Sequence, residues 1–276
     1  MLVFPNAKIN LGLYVTEKRP DGYHNLQTVF YPLNWCDALE VIEDSKAKEP
    51  FSLEISGLEV SGSLTDNLLY KAWKMLSEKH TLPKMRVYLH KVIPMGAGLG
   101  GGSADAAFFL NLLNTKFSLQ LSTETLSNYA SQLGSDCAFF LHNKALYAEG
   151  RGEIFTDISL NLNAYYILAI FPQLHSSTAA AFKELVPQQP KHNLIESISK
   201  PVNQWKDCLF NDFEQALFKL FPQLQQIKHQ LYQSNALYAA MSGSGSTMFG
   251  IFETEPDVSM FNNYSYYLQK PGAKPL

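Results

Sequence analysis

Five of the 16 glycines of this chain fall within seven consecutive positions, from Gly96 to Gly102. The apolar stretch before them, Met85 to Ile93, predicts a strand, and the alanine-rich stretch after them, Ala104 to Leu113, predicts a helix. Because glycine has no Cβ, such a segment can turn successive N–H groups toward one point, next to the free N–H groups and the positive dipole end of the helix. We therefore expect a phosphate cradle here rather than a flexible surface turn.

Three kinds of nucleotide-binding loop compete for this glycine cluster. Gly96, Gly98 and Gly101 satisfy the dinucleotide fingerprint G-x-G-x-x-G, but Glu124, the acidic residue at a suitable distance, falls at a predicted helix start rather than at the end of a second strand. A Walker A loop is excluded because no glycine in the chain is followed by lysine. The protein-kinase motifs HRD and DFG are absent as well. A loop of a third kind is left.

The segment from Lys8 to Val15 alternates in the manner of a half-buried strand. Its apolar face is predicted to hold Ile9, Leu11, Leu13 and Val15. Lys8 and Asn10 then share the opposite face. Further along the chain, strands and helices mix without a regular βαβ alternation, which predicts an α+β protein. We expect two lobes, formed by residues 1–155 and 156–276.

The composition excludes several classes of protein. Lys and Arg total 22 against 25 for Asp and Glu, so the net charge of −3 disfavours binding of a nucleic acid. The longest apolar run, Ala164 to Phe171, is far shorter than the roughly 20 residues that cross a bilayer. Cys36, Cys137 and Cys208 lie far apart and form no metal-binding spacing, so we expect a reduced, cytoplasmic protein.

Short motifs elsewhere in the chain accompany the glycine run Pro94-Met-Gly-Ala-Gly-Leu-Gly-Gly-Gly-Ser-Ala104. They are Ala7-Lys-Ile-Asn-Leu11, Asp21-Gly-Tyr-His24, Leu133-Gly-Ser-Asp-Cys137 and Met241-Ser-Gly-Ser-Gly-Ser246. Together and in this order, they resemble the GHMP kinase superfamily, and within it the kinases of a cytidine diphosphate-linked methylerythritol. The resemblance implies the two-lobed α+β GHMP kinase fold, with an N-terminal lobe like domain 2 of ribosomal protein S5 and a ferredoxin-like C-terminal lobe.

The resemblance also implies an ATP site with accompanying Mg²⁺, although no residue is assigned as a metal ligand. The residues expected at ATP are Pro94, Met95, Gly96, Ala97, Gly98, Leu99, Gly100, Gly101, Gly102, Ser103 and Ala104. Related loops carry a second serine where this chain has Ala104, which leaves Ser103 to serve alone.

Asp136 and Lys8 are the catalytic pair that the resemblance implies. A kinase needs a group to take up the hydroxyl proton and a cation to neutralise the transferring phosphoryl group, so one carboxylate and one lysine suffice. The residues alone leave alternatives open: Asp136 also suits an ordinary helix N-cap, and Lys8 a solvated strand face.

The substrate side is expected around Tyr23 and His24, where the resemblance implies a cytidine pocket and the residues alone also allow a plain hairpin tip. Stacking of an aromatic ring on a base contributes about 1–3 kcal/mol. The other expected substrate contacts are Asn10, Thr178, Phe182, Ser244 and Gly245. The expected reaction transfers the γ-phosphate of ATP to the 2-hydroxyl of the methylerythritol unit.

Two alternative functions remain at this point. One is a GHMP kinase for another small alcohol, such as homoserine or mevalonate, and the other is a nucleotide-binding module without catalysis. The expected partner is a small-molecule substrate, with no nucleic acid and no membrane, and the chain is expected to be a monomer or a homodimer.

Overall fold

The computed structural model describes residues 1–174, 182 and 185–273. The strands are β1 (Leu2–Val3), β2 (Asn6–Lys18), β3 (His24–Cys36), β4 (Ala38–Glu43), β5 (Phe51–Gly57), β6 (Met85–Lys91), β7 (Leu146–Glu149), β8 (Ile154–Asp157), β9 (Tyr166–Phe171), β10 (Tyr238–Met241), β11 (Met248–Phe252) and β12 (Ser265–Gln269). The α-helices of this part are α1 (Leu68–Ser77), α2 (Gly101–Lys116), α3 (Thr123–Leu133), α4 (Cys137–His142), α5 (Leu194–Ile198), α6 (Phe213–Leu220) and α7 (Pro222–Gln233).

Within the described ranges, the strands form three four-stranded sheets. The first has the order β1-β4-β6-β5, the second β2-β3-β7-β8 and the third β10-β11-β9-β12. Neighbouring strands are antiparallel, except for β5 and β6, which are parallel. In chain order the third sheet reads 2-3-1-4, the arrangement of a ferredoxin-like sheet, so the mixed α+β fold is confirmed.

The three sheets and the helices form stacked layers. One face of the first sheet packs against α1, α2 and α3, around Leu39, Val87 and Phe109. The second and third sheets face each other directly, and Ile9 and Val29 of one meet Ala169 and Phe249 of the other in a single core. The far side of the third sheet is covered by α6 and α7. Both lobes therefore share one apolar interior.

Strand β2 lies between two layers and is not half-buried, which corrects the expectation from its alternation. Every residue from Asn6 to Tyr14 is buried, because the third sheet covers one face of the second sheet and α2 and α4 cover the other. A register shift between Leu11 and Leu13, at Gly12 with φ +71°, turns the later residues over. Leu13 therefore packs near α6 and α7 rather than beside Ile9.

Helix α2 carries apolar and small side chains and is buried on two sides. Ala104 and Ala107 contact the cluster of Phe30 and Phe139 beneath the second sheet. On its other side, α2 packs against the first sheet in the separate cluster that holds Ala106 and Leu110. The small side chains thus bring the start of α2, directly after the glycine segment, close to β2.

Several element boundaries coincide with local sequence features. Helix α3 ends at its C-cap Gly134, and the long helical pattern after Asn211 is divided at Pro222 into α6 and α7. The strands β10 and β11 flank the segment Ser242 to Ser246. In the part of the chain that the structure describes, no helix is both long and apolar enough to cross a membrane.

Candidate active site

A cavity of about 800 Å³ opens between the glycine segment, β2 and the turn that joins β2 to β3. One end is formed by the glycine segment together with Lys8 and Asp136, and the other end by Tyr23, His24 and Phe182. Residues of both lobes line it, because Ser244 comes from the segment between β10 and β11. The cavity therefore joins the two regions that the motifs predicted for ATP and for the substrate.

Lys8 is a buried lysine whose ammonium group is surrounded by oxygen acceptors. Its side chain is 3% exposed, and its Nζ lies 3.3 Å from Oδ2 of Asp136. It donates hydrogen bonds to Oδ1 of Asn10 at 2.6 Å and to the carbonyl of Gly98 at 3.0 Å. Since a buried charge is costly without partners, these contacts explain how β2 can hold a lysine in its interior. The solvated strand face is therefore ruled out for Lys8.

Asp136 occupies the N-cap position of α4, but its carboxylate does not cap the helix. About a third of its side chain is exposed, and it lines the cavity beside Ser135. The carboxylate is therefore directed to Lys8 and to the cavity rather than to the helix N–H groups. The chain brings these two side chains together from positions 128 residues apart in the sequence.

A chain of hydrogen bonds holds Asn10 in place beside Lys8. Asn10 Nδ2 donates to Oγ1 of Thr28 at 2.9 Å, and Thr28 Oγ1 donates to the carbonyl of Gly12 at 2.6 Å. The Asn10 amide oxygen is thereby fixed as the acceptor that faces the lysine. Thr28 on β3 was not predicted from the sequence, because no short motif surrounds it.

The glycine segment passes very close to the segment between β10 and β11. A Cβ on Gly98 would lie 2.0 Å from the carbonyl oxygen of Ser242, and φ at Gly98 is +77°. Ser242 Oγ donates to the carbonyl of Gly98 at 2.7 Å and accepts from the N–H of Asn10 at 3.2 Å. Ser242 thus joins three parts of the site, a role that its short glycine-serine motif did not reveal.

The first turn of α2 begins inside the cavity wall. Gly101, Gly102 and Ser103 line the cavity, and the N–H groups of a helix's first residues have no partner within the helix. A Cβ on Gly102 would meet only the flexible end of Met95 at 3.4 Å and Leu68 at 4.0 Å, so the backbone is approachable here. These residues fit an anionic phosphate group by backbone donors and dipole.

Some of the residues predicted at ATP do not reach the cavity. Pro94, Leu99 and Ala104 are buried in the neighbouring core and are not part of its lining. Ala104 is fully buried and donates its N–H to the carbonyl of Gly100, so a hydroxyl at this position would face apolar side chains. These three residues lie behind the loop, and their contact with ATP stays a prediction.

A buried cluster of three charged residues ties the two ends of the glycine segment together. Lys91, at the end of β6, forms ion pairs with Asp37 and, at 2.8 Å, with Asp105 of α2. Asp37 also accepts the N–H groups of Val92 and Ile93. Burial raises the pKa of Asp105 to about 7. The cluster anchors the strand before the loop to the helix after it.

At the other end of the cavity the aromatic rings lie at different depths. Tyr23 is 55% exposed, whereas the rings of His24 and Phe182 stack with their centroids 4.6 Å apart and 14° between their planes. Burial lowers the pKa of His24 below its ordinary value, and the charge of Lys18 acts in the same direction. The imidazole is therefore neutral at pH 7, with a nitrogen able to accept a hydrogen bond.

The remaining predicted substrate residues fall in different places. Asn10, Phe182 and Ser244 line the cavity, together with Gly243, which was not predicted. Gly245 does not line it, and a Cβ added there would lie 2.7 Å from Met241, so its contact with substrate stays a prediction. Thr178 lies outside the described residues.

Metal ligands are scarce around the cavity. Among the residues that the structure describes, no three His, Cys, Asp or Glu side chains converge as a metal site requires. The side-chain oxygen donors near the glycine segment in the cavity lining include the hydroxyls of Ser103 and Ser135 and the carboxylate of Asp136. This donor set suits a hard cation that takes most of its ligands from phosphate and water.

Comparison with known proteins agrees with this geometry. Residues 67–144 match the family described as GHMP kinases N terminal domain, and residues 192–260 match GHMP kinases C terminal. The 4-diphosphocytidyl-2-C-methyl-D-erythritol kinase of Bacteroides fragilis is 52% identical over 94% of each chain. That of Bacteroides thetaiotaomicron is 52% identical over 92% of this chain and 93% of its own.

Solved structures give the same relationship in three dimensions. A crystal structure of a 4-(cytidine 5'-diphospho)-2C-methyl-D-erythritol kinase is 31% identical to this chain, with a TM-score of 0.76, and the match covers 91% of this chain and 90% of that one. Fold, order of motifs and sequence identity thus agree over nearly the whole length. The chain belongs to the 4-diphosphocytidyl-2-C-methyl-D-erythritol kinase family of the GHMP kinases.

Proposed function

We propose that this chain transfers the γ-phosphate of ATP to the 2-hydroxyl of 4-diphosphocytidyl-2-C-methyl-D-erythritol, in the non-mevalonate pathway of isoprenoid precursors. The observation that carries the proposal is the Lys8–Asp136 pair, 3.3 Å apart, at the point where the glycine segment meets the rest of one continuous cavity. The relatives that bear the same enzyme name agree with this substrate.

In this proposal, ATP places its phosphates on the glycine segment and on the first turn of α2. Gly101, Gly102 and Ser103 line the cavity at that position, and the N–H groups of a first helical turn lack partners within the helix, so uncharged donors would meet the negative charge. The proposal includes Mg²⁺, which would neutralise the negative charge of the phosphate oxygens when bound. Ser103 and Asp136 are nearby oxygen donors that could hold it. Preformed donors of this kind lower the barrier because they need no reorganisation.

Asp136 and Lys8 perform the two remaining tasks. About a third of the Asp136 side chain is exposed. Its carboxylate can therefore accept the proton of a substrate hydroxyl that enters the cavity. The Lys8 ammonium donates to Asn10 and Gly98 and pairs with Asp136, so in this proposal it acts as a fixed cation rather than as a base. It neutralises charge that develops on the transferring phosphoryl group.

The cytidine part of the substrate belongs at the aromatic end. The neutral His24 imidazole is suited to a hydrogen bond with the edge of the base, and the exposed Tyr23 ring to stacking on its face. A base sandwiched between Tyr23 and Phe182 requires the Phe182 ring to part from His24. Ser244 faces the same space from the other lobe.

A cytoplasmic location completes the proposal. Cys36, Cys137 and Cys208 are unpaired in the structure, as a reducing compartment leaves them. Burial raises the pKa of Cys137 to about 12, so its thiol stays protonated beside Ser103 and takes no part in the chemistry.

A single assay tests this function against its alternatives. ATP consumption is measured with purified chain and four alcohols: 4-diphosphocytidyl-2-C-methyl-D-erythritol, methylerythritol without the nucleotide, homoserine and mevalonate. We expect turnover with the first alone, since only this substrate fills both ends of the cavity. Turnover with another alcohol, or ATP binding without turnover, would contradict the proposal.

A further inference from the structure

The charges that line the cavity do not balance. Among the described residues, the ionised side chains in its lining are Lys8, Asp136 and Arg151. Lys8 and Asp136 neutralise each other. Arg151 therefore has no acidic partner among the residues that line the cavity, and the Lys8–Asp136 pair gives no reason for its presence there.

Arg151 is held at the aromatic end. Its guanidinium carbon lies 5.1 Å from the centre of the Tyr23 ring. The turn that carries it joins β7 to β8 and is tied to β3, because the N–H of Leu26 donates to the carbonyl of Gly150 at 2.7 Å. The position of Arg151 is therefore set by the same strand that begins at His24.

The ion pair of Arg151 is weak and leaves its head group available. Its Nε meets Oε1 of Glu153 at 3.4 Å, and about a third of the arginine side chain is exposed. Glu153 does not line the cavity. A single long contact between partly exposed charges contributes little, so a better anion can replace it.

We propose that Arg151 binds the diphosphate of the cytidine diphosphate-linked substrate. This inference rests on the proposed function. A cytidine placed at Tyr23 and an acceptor hydroxyl placed at Asp136 are joined by the diphosphate, whose negative charge needs a cation between them. ATP has the backbone donors of the glycine segment, whereas the second diphosphate has none of these.

The guanidinium group is chemically suited to this task. Its planar N–H donors match two phosphate oxygens at once, whereas a lysine offers a point charge. Lys8 cannot take this role as well, because its side chain is 3% exposed and already bonded to Asn10 and Gly98. Arg151 would also help to distinguish a nucleotide-linked alcohol from a simple one.

The experiment measures binding of CDP and of cytidine to the full chain by calorimetry. A saturating non-hydrolysable ATP analogue is present, so that the glycine segment is filled and CDP cannot bind there. The variants are Arg151→Met, Arg151→Lys and, as a matched control, Arg19→Met. Arg19 is a partly exposed arginine in the turn between β2 and β3. It is paired with Asp21 at 3.0 Å and does not line the cavity.

We expect Arg151→Met to weaken CDP binding about tenfold or more, as for loss of a bidentate charge-assisted contact, and to leave cytidine binding unchanged. Arg151→Lys should lie between the two, and Arg19→Met should change neither affinity. In a kinetic assay, KM for the nucleotide-linked alcohol should rise while KM for ATP stays the same.

Equal weakening of CDP and cytidine would overturn the inference, because Arg151 would then act only by holding the Tyr23 ring. CDP binding that is insensitive to Arg151→Met would also overturn it. If the unaltered chain binds neither CDP nor cytidine, the proposed function itself fails and the inference with it.

Discussion

At the scale of single residues, the site depends on a lysine that the local sequence places on a surface and the fold places in the interior. The alternation of β2 correctly puts Lys8 and Asn10 near each other, and the two side chains are bonded at 2.6 Å. The third partner, Asp136, arrives from another element. A buried ammonium group is tolerable only because all of these acceptors are present together.

The proposed catalytic pair, Lys8 and Asp136, can be tested by substitution. We expect Asp136→Asn to lower kcat by about 10²–10⁴-fold, because the amide cannot accept the hydroxyl proton. The fold should stay intact, since Asp136 caps no helix N–H, with some loss of thermal stability because the buried Lys8 ammonium loses its carboxylate partner. Lys8→Ala should also abolish turnover, with some loss of stability from the unpaired Asn10 and Gly98 oxygens. Asp157→Asn, at a side chain that is 77% exposed, is the control. Turnover like that of the unaltered chain in either variant would disprove its assigned role.

His24 predicts a dependence of substrate binding on pH. Its pKa is lowered by burial, so the neutral form persists below the ordinary value near 6.5 and is lost only as the pH falls through the lowered pKa. We expect KM for the nucleotide-linked alcohol to be constant at and above neutral pH and to rise at acidic pH, while KM for ATP changes less.

The His24→Gln variant identifies the group responsible. It should show a higher KM than the unaltered chain at pH 7 and little further rise on acidification. Steady-state kinetics between pH 5 and pH 8 make the comparison. The same acidic rise in the variant would assign the effect to a different group.

At the scale of elements, strand β6, the glycine segment and helix α2 form one connected unit. Lys91 joins Asp37 to Asp105, and the Gly98 carbonyl accepts both Lys8 and Ser242. Glycine is required at position 98 for two separate reasons. Its φ is positive, and the backbone carbonyl of Ser242 lies where a Cβ would be. The cradle is therefore shaped by its neighbours as much as by its own flexibility.

Two glycine substitutions separate these reasons. Gly98→Ala should lose ATP binding and lower the melting temperature, because its Cβ would lie 2.0 Å from a carbonyl oxygen. Gly22→Ala has a similar φ of +86° but nothing within 4 Å of its Cβ, so it carries the backbone strain alone. We expect a clear loss for the first variant and a small one for the second, measured by nucleotide titration and thermal unfolding. Equal effects would show that only φ matters.

At the scale of the whole molecule, the predicted lobes are not independent. The second and third sheets bury their facing sides in one core, and β2 is also bonded to the chain near α6, where Leu13 exchanges hydrogen bonds with Phe210 and Asp212. The cavity needs both lobes, because Ser242 and Ser244 come from the second. Folding and formation of the site should therefore be coupled.

A fragment tests this coupling. Residues 1–155 alone would expose Ile9, Leu11 and Val29, each of which is fully buried in the intact chain. Burial of such a side chain contributes about 1.5–3 kcal/mol, so several together equal the stability of a typical domain. We expect the full chain to unfold in urea in one transition by circular dichroism and tryptophan fluorescence, and the fragment to show no cooperative transition. A cooperative fragment would establish two separate folding units.

Much of the fold and part of the site could be predicted from the sequence. The strand before the glycine segment and the helix after it depend on neighbours in the chain, and both lie where expected. The local pattern was misleading where an interaction came from far away. The register shift at Gly12 puts Leu13 into a different core cluster from Ile9. Ala104 lies behind the glycine segment, in the apolar core.

The sequence by itself determined a glycine-rich segment between a strand and a helix, a candidate carboxylate and lysine, and an aromatic turn, because backbone freedom and side-chain chemistry are local properties. The tertiary structure decided which of these groups meet. It placed Lys8 at 3.3 Å from Asp136, fixed Asn10 through Thr28, brought Ser242 to Gly98 and left Arg151 beside Tyr23. Such contacts depend on how covered sheets and helices stack, and that packing is set by the whole chain at once.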